Sequence, residues 1–487
     1  MSEPKRLHPA AIIFRAINTI RQSIFGLLPI ILIASNDGFF KYVILGVIVL
    51  TIVFIVLNVI GWMKFTYQLD EDQLRIEQGI FIRKKRTISK HRIQSIDLSQ
   101  NIIHRIFGLT KVQIETAGSD QDVDAALSAV TFTEGQWLHD QLKAKRPTTT
   151  NSEEKLVEDD TKSEGDYPSR TISFRKLFIA GTTSGSFGII LALLAFLSSQ
   201  VETLIPDKFY QETTTWLISQ AIETIVLLSI LFFIGVWLVG ILGTMIKYGN
   251  FTITRYEEEL YITRGLLEKK QTTIPLKRIQ AVGITQSIIR QPLGLATIFV
   301  EIAGGETDKQ EGTNTILFPL LSKNKIHDFL DEIIPEYSDL PENYTALPKR
   351  ALPYYLLRST WIPILASIAV GIFFIDWIWI PLIILALSIL LGILTHRTTG
   401  FKLTESMLTL QMRQLSKETI MLKQKRIQAF EKKQHILHRE QGLATLKGSI
   451  LNNFFGRNYI LAELEEEDVD RIGDWYSYNN EFKKPTK

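Results

Sequence analysis

The sequence predicts an α+β membrane protein. Six transmembrane helices form three hairpins, and each hairpin is followed by a small β-barrel or sandwich with a C-terminal helix. Three observations predict this. Long apolar stretches alternate with charged blocks. One short polar motif recurs three times in a single register. Each recurrence follows a pair of apolar stretches.

The chain has 487 residues, enough for several domains. Hydrophobic residues make up 46% and mean hydropathy is +0.10, both high beside 22% charged residues, so the apolar residues must be gathered in blocks. A net charge of +3 argues against a general polyanion binder, so any basic patch must be local. The absence of cysteine excludes disulfides, thiol catalysis and Cys-ligated zinc or iron–sulfur sites. Met1 to Arg21 carries Lys5, Arg6, Arg15 and Arg21. No Ala-x-Ala-like cleavage site follows the first apolar run, which predicts a retained anchor.

Ile17 to Ala34 and Phe39 to Met63 form the first apolar pair, with the turn signal Asn36-Asp37-Gly38 between them. A spanning helix needs about 20 apolar residues. The second pair is Leu177 to Leu197 and Trp216 to Ile246, joined by the polar linker Ser198 to Thr215. The third is Trp361 to Ile375 and Trp377 to Leu394; its first helix is short, with Pro363 near the start. Arg15, Arg21, Lys64, Arg175, Lys176, Lys247, Lys349, Arg350, Arg358, His396 and Arg397 flank the hairpin bases. The opposite loops carry Asp37, Lys41, Glu202, Asp207, Lys208, Glu212 and Asp376. The positive-inside rule then places both termini and all three polar blocks in the cytoplasm.

The motif is Arg92-Ile93-Gln94, Gln100 and Gly108-Leu109. It returns as Arg278-Ile279-Gln280, Gln286 and Gly294-Leu295, and as Arg426-Ile427-Gln428, Gln434 and Gly442-Leu443. Such a threefold match marks a triplicated module. Within each copy, alternation such as Leu74-Arg75-Ile76-Glu77 or Leu260-Tyr261-Ile262-Thr263 predicts half-buried strands. Gly79 and Gly265 mark a turn where the third copy has Arg413. The copies close with helical patterns over Glu134 to Lys145, Leu321 to Ile334 and Glu463 to Tyr476. About six or seven strands and one helix per copy are expected. The predicted boundaries are a first hairpin segment at 1–64, a β domain at 65–146, and an acidic disordered linker at 147–170. Then come a hairpin at 171–247, a domain at 248–336, a hairpin at 337–397, a domain at 398–479 and a tail at 480–487.

The triplicated motif, placed just after a membrane hairpin, resembles the bacterial pleckstrin-homology (PH) domains once catalogued as a membrane domain of unknown function. The three hairpin-plus-domain units look like YdbT-type membrane proteins of Gram-positive bacteria. The resemblance covers nearly the whole chain outside the linker. It implies a PH-like fold, a seven-strand barrel capped by a helix, with no enzyme activity and no established ligand. It also suggests a role in envelope-stress defence against membrane-active agents.

The motif itself has two readings. Arg92, Arg278 and Arg426 offer forked donors for phosphate or carboxylate, with Gln94, Gln280 and Gln428 and then Gln100, Gln286 and Gln434 as hydrogen-bonding groups. Alternatively these residues are framework, the second Gln tying down the following turn. Repetition favours framework. Basic clusters at Arg83, Lys84, Lys85 and Arg86, at Lys269 and Lys270, and at Lys423, Lys425, Lys432 and Lys433 are candidates for anionic headgroups; a solvated face is the bland alternative. Nucleic acid fits poorly, because the basic runs lack interleaved aromatics. Gly181-x-x-x-Gly185, with Ser184 and Gly188, predicts close helix packing. Glu223 is the main ionisable group inside an apolar run, and Asn58 is polar; a transporter would show more such groups. His435-x-x-His438 has metal-like spacing but no ligating company, so neither a metal nor a cofactor is expected. No nucleotide-binding or hydrolase motif appears. The sequence therefore points to a non-enzymatic membrane scaffold binding partner proteins, itself or anionic lipid. The alternatives are an exporter of membrane-active peptides or an assembly subunit of another membrane complex.

Overall fold

A computed structural model describes residues 3–34, 40–70, 72–116, 125–143, 167–183, 222–303, 314–452 and 456–477. The chain forms two compact units, Met1–Ile274 and Pro275–Lys487.

In the first unit, α1 (Ala11–Ala34) packs on α2 (Phe40–Met63). Asn58 Nδ2 donates to Thr19 Oγ1 at 2.7 Å across the pair, which satisfies the polar group noted in the sequence. A meander follows: β1 (Thr66–Leu69), β2 (Gln73–Gln78) and β3 (Lys84–Ser89). Next come β4 (Ile93–Gln100), the short α3 (Ile102–Ile106), β5 (Leu109–Thr116), β6 (Ala125–Thr131) and α4 (Phe132–Lys143). Alternation along these strands points Leu74, Ile96, Leu98, Val112, Ile114 and Leu127 into one core with Leu138 of α4. Then follow β7 (Ser169–Thr171), α5 (Phe174–Thr182), α6 (Ile222–Tyr248), β8 (Thr252–Arg255), β9 (Glu259–Arg264) and β10 (Lys269–Pro275).

The second unit begins with β11 (Ile279–Gln286), β12 (Leu295–Ile302), β13 (Thr315–Ser322) and α7 (Ile326–Ile333). β14 (Thr345–Ala346) leads into α8 (Leu352–Phe373) and α9 (Trp379–Thr398). The last module is β15 (Gly400–Leu403), β16 (Met407–Arg413), β17 (Lys417–Lys423), β18 (Ile427–Lys433), α10 (Ile436–Glu440), β19 (Leu443–Ile450), β20 (Arg457–Glu465) and α11 (Glu466–Ser477).

Among the described residues each module thus has six strands, and these do not close on themselves by hydrogen bonding. In the first unit one sheet runs β6-β5-β4-β10-β9-β8-β7, and in the second another runs β13-β12-β11-β17-β16-β15-β14. The fourth strand of one module pairs antiparallel with the third strand of the next. Lys269 to Gln271 face Gln100 to Leu98, and Ala281 to Gln286 face Leu422 to Lys417. Burial follows from this pairing. β11 is flanked on both sides and buries Ile279 to Ile284. It contains Gly283 because a Cβ there would lie 2.1 Å from the Phe299 ring. β18 is the equivalent strand of the third module but ends its sheet; it carries Glu431, Lys432 and Lys433. β3 likewise ends its sheet and carries Lys84, Lys85 and Arg86. Charges on such edges oppose strand addition. Replacing Lys84 and Lys85 by Thr is therefore expected to produce concentration-dependent association of purified protein, read by light scattering. An unchanged molar mass would remove this role for the two lysines.

Several expectations need correction. α8 starts nine residues before Trp361, so Pro363 lies inside a 22-residue helix. The reason is that Tyr354, Tyr355 and Arg358 make the entry turns amphipathic, which breaks the apolar pattern but not the helix. Ser169 and Arg170, assigned to the linker, form β7 and pair with Thr254 and Ile253. The final helix begins at Glu466 because Glu463 belongs to an irregularity of β20. Among the described residues four helices are long and apolar enough to cross a membrane: Leu45–Met63, Val226–Tyr248, Lys349–Phe373 and Ile375–Thr398. The turn Asn36-Asp37-Gly38, the linker residues 147–166, Ser184, Gly185 and Gly188, the loop Ser198 to Thr215 and the tail 480–487 lie outside the described residues.

Candidate functional site

The motif residues act locally. Gln100, Gln286 and Gln434 each donate through Nε2 to the carbonyl of the residue after the motif glycine: Leu109 at 2.8 Å, Leu295 at 3.2 Å and Leu443 at 3.1 Å. Gly108, Gly294 and Gly442 have φ of 64, 63 and 61°, the left-handed region that favours glycine. Arg92, Arg278 and Arg426 each end a one-turn 3-10 helix before the fourth strand. Arg278 Nε donates to Ala303 O at 2.9 Å, and Gln280 and Gln428 bond back to the carbonyls of Arg278 and Arg426. Each set ties a strand to its own turn. The Gln94 side chain lies outside the described set.

Many of the candidate headgroup-binding cations have carboxylate partners. Arg83 and Lys85 pair with Glu77 and hold its carboxyl below the usual range. Lys432 reaches Glu466 at 2.9 Å and Asp470 at 2.6 Å, Lys433 reaches Glu431 at 3.3 Å, and Lys423 pairs with Glu336. Lys84, Lys269 and Lys425 are exposed and Lys270 is half-buried. His435 caps α10 by accepting from Leu437 N, and His438 sits 3.8 Å from Glu463. Among the described residues no His, Asp and Glu cluster could hold a metal ion. Glu223 lies in the first turn of α6, and its side chain is outside the described set. Gly181 touches the Ile241 backbone so closely that a Cβ would lie 3.1 Å away, so this glycine serves helix packing.

A feature that sequence reading missed is apolar. The turn between the second and third strands presents Phe81 and Ile82 at 88% and 74% exposure in the first module. Leu266 and Leu267 are exposed in the second and Leu415 in the third. In the first two modules the turn needs glycine: Gly79 and Gly265 have φ of 121 and 101°, and a Cβ would meet the carbonyl oxygen three residues on at 1.9 Å. The first two tips lie beside the ends of α2 and α6, helices long and apolar enough to cross a membrane. Leu266 N donates to Ile246 O at 2.9 Å, Gly265 N donates to Gly249 O at 2.7 Å, and Ile80 lies beside Gly61 of α2. Arg105 of α3 donates to Leu266 O at 2.7 Å, which brings the exposed Ile102, Ile106 and Phe107 to the same level. Ile288, Ile289 and Leu293, and then Ile436 and Leu437, are exposed at the same point of the later modules.

In the second unit a cavity of about 660 Å³ opens between the α8–α9 pair and the last module. Tyr355, Arg358 and Ser359 of α8 and Leu391, Gly392 and Thr395 of α9 form one wall. The β16–β17 turn, with Arg413 and Leu415, forms the second, and Arg457, Ile460 and Ala462 of β20 the third. Two ion pairs buttress it. Arg358 donates to Glu463 Oε1 at 2.6 Å; Glu463 is 2% exposed on its side chain and has φ of 58°. Arg457 reaches the fully buried Glu301 at 2.8 Å, where Tyr459 Oη and Asn452 Nδ2 also donate. Burial pushes the Glu301 carboxyl up to about 7, with Arg457 and Tyr459 pulling the other way and Glu418 adding to the rise. Burial also lowers Arg413 and Lys417, and for Lys417 the neighbouring Lys323 and Arg413 add to the effect. The available signal was Arg413 at the position where the other copies have glycine. Glu301 gave none, being a single charge in the apolar β12, and Glu463 was hidden at the head of the acidic run Glu463 to Asp468.

Comparison with known proteins agrees with this architecture. The bacterial PH domain profile matches residues 23–146, 189–336 and 353–480. The chain is 35% identical over 98% of its length to UPF0699 transmembrane protein YdbT of Bacillus subtilis (strain 168), covering 99% of that protein. No solved structure matches.

Proposed function

The chain belongs to the bacterial PH domain family of membrane proteins, and from that premise we propose that it is a non-enzymatic scaffold whose three PH-like modules lie on the cytoplasmic leaflet. Six spans in three hairpins would hang one module from each hairpin. The observation that carries this reading is the repeated apolar tip at the foot of a membrane helix. Phe81 and Ile82 next to Arg83 to Arg86 combine an apolar wedge with cations, the composition that suits an anionic interface. Pairing of β4 with β10 supports a scaffold, because it fixes the spacing of the Phe81 and Leu266 tips within the first unit. Envelope-stress defence is the setting we assign to it, through partner membrane proteins or self-association held at that surface.

The test uses the natural absence of cysteine. A Phe81→Cys variant labelled with the fluorophore NBD and reconstituted in phosphatidylglycerol vesicles is expected to be quenched by shallow doxyl lipids and shielded from iodide. Free access to iodide without lipid quenching would overturn the leaflet reading.

A further inference from the structure

We propose that the cavity between the α8–α9 pair and the last module binds the phosphate ester of an anionic glycerophospholipid, with Arg413 as its principal donor. The proposal rests on the leaflet reading and names a ligand for it.

Charge accounting singles out Arg413. Of the three guanidinium groups in the lining, Arg358 is held by Glu463 and Arg457 by Glu301. Glu418 is the carboxylate in the lining, and its field falls on Glu301 and Tyr459. Arg413 instead stands opposite Lys417 in the β16–β17 register, and Lys323 adds to the positive field there. Its Nε is buried with no hydrogen-bond partner among the described residues. A buried donor left unpaired is costly, and a guanidinium can give a phosphate two parallel charge-assisted bonds. The turn itself is different here: Arg413 is the last paired residue of β16, opposite Lys417, where the other two modules open their turn with a left-handed glycine.

The walls identify the source of the phosphate. Leu391 and Gly392 come from a membrane helix, and Leu415 and Ile460 are exposed apolar side chains at the rim. A soluble phosphate ester would leave this apolar rim in water, whereas acyl chains can follow α8 and α9 into the bilayer. A volume of about 660 Å³ suits a headgroup with its glycerol, as small-ligand pockets run about 300–1,000 Å³.

Native mass spectrometry of the full chain in detergent, with phosphatidylglycerol or phosphatidylcholine added, tests this. The wild type is expected to retain one phosphatidylglycerol at least ten-fold more strongly than phosphatidylcholine. Arg413→Gln and Arg413→Gly should lose that preference with unchanged melting curves, and millimolar inorganic phosphate should not displace the lipid. Equal retention in both variants, or displacement by inorganic phosphate, would overturn the proposal. If the variants bind as wild type while NBD at position 81 is still quenched by lipid, the pocket reading alone falls. If NBD is in water, the leaflet reading falls.

Discussion

Arg358→Ala is expected to destabilise the second unit by about 2–3 kcal/mol. Removing one partner of a buried ion pair costs about 3–5 kcal/mol, discounted here because Arg358 is half in solvent. The penalty comes from Glu463, whose buried carboxylate would lose its guanidinium partner and whose Oε2 has no hydrogen-bond partner among the described residues. Glu463→Ala removes the buried charge along with the pair and should cost less. Glu463→Gly should cost less again, by about 1 kcal/mol, because the left-handed backbone at this position suits glycine. Denaturant unfolding in detergent gives the order. An Arg358→Ala protein as stable as wild type would show that α8 is not fastened to β20 by this pair.

The second large effect is a pH dependence centred on Glu301. Its carboxyl titrates near 7 when folded and near 4.5 otherwise, so the folded state holds the proton through that window. Stability from this group is therefore present at the acidic end and is lost as pH rises from about 4.5 to about 7. The size is on the order of 3 kcal/mol, since each tenfold change in proton affinity is worth about 1.4 kcal/mol. Amide exchange of β12 and β20 should accelerate over that range in wild type and remain flat in Glu301→Gln, after correction for intrinsic exchange. An equal slope in both proteins would place the titrating group elsewhere. The groups facing Glu301 are Arg457, Tyr459, Asn452 and Glu418, and the first two keep one carboxylate oxygen hydrogen-bonded in either state.

The residues that repeat were legible in the sequence because repetition encodes framework. Gln100, Gln286 and Gln434 make the same bond three times, and the glycine that follows is left-handed three times. Period-two alternation located the strands, because each exposes one face at a time. What periodicity cannot show is which strand edge meets which. The pairing of β4 with β10 and of β11 with β17 is non-local and leaves its trace in edge composition: apolar along β11, charged along β18. The apolar tips were hidden for a related reason. Gly79 marks the turn in the sequence, but nothing there shows that Ile80-Phe81-Ile82 is left exposed, and only its position beside α2 gives the exposure a meaning. Arg413 was visible only as a departure from the repeat, so the cavity had to be found in three dimensions.

The central claim is that all three PH-like modules share the cytoplasmic face. The cysteine-free chain allows single-cysteine reporters at Lys84, Lys269 and Lys433, one in each module, and at Asp376 in the short turn between α8 and α9. With a membrane-impermeant maleimide, intact cells are predicted to label the Asp376→Cys protein alone. The three module reporters should label only after permeabilisation. Labelling of any module reporter in intact cells would contradict the shared cytoplasmic placement on which the scaffold account depends.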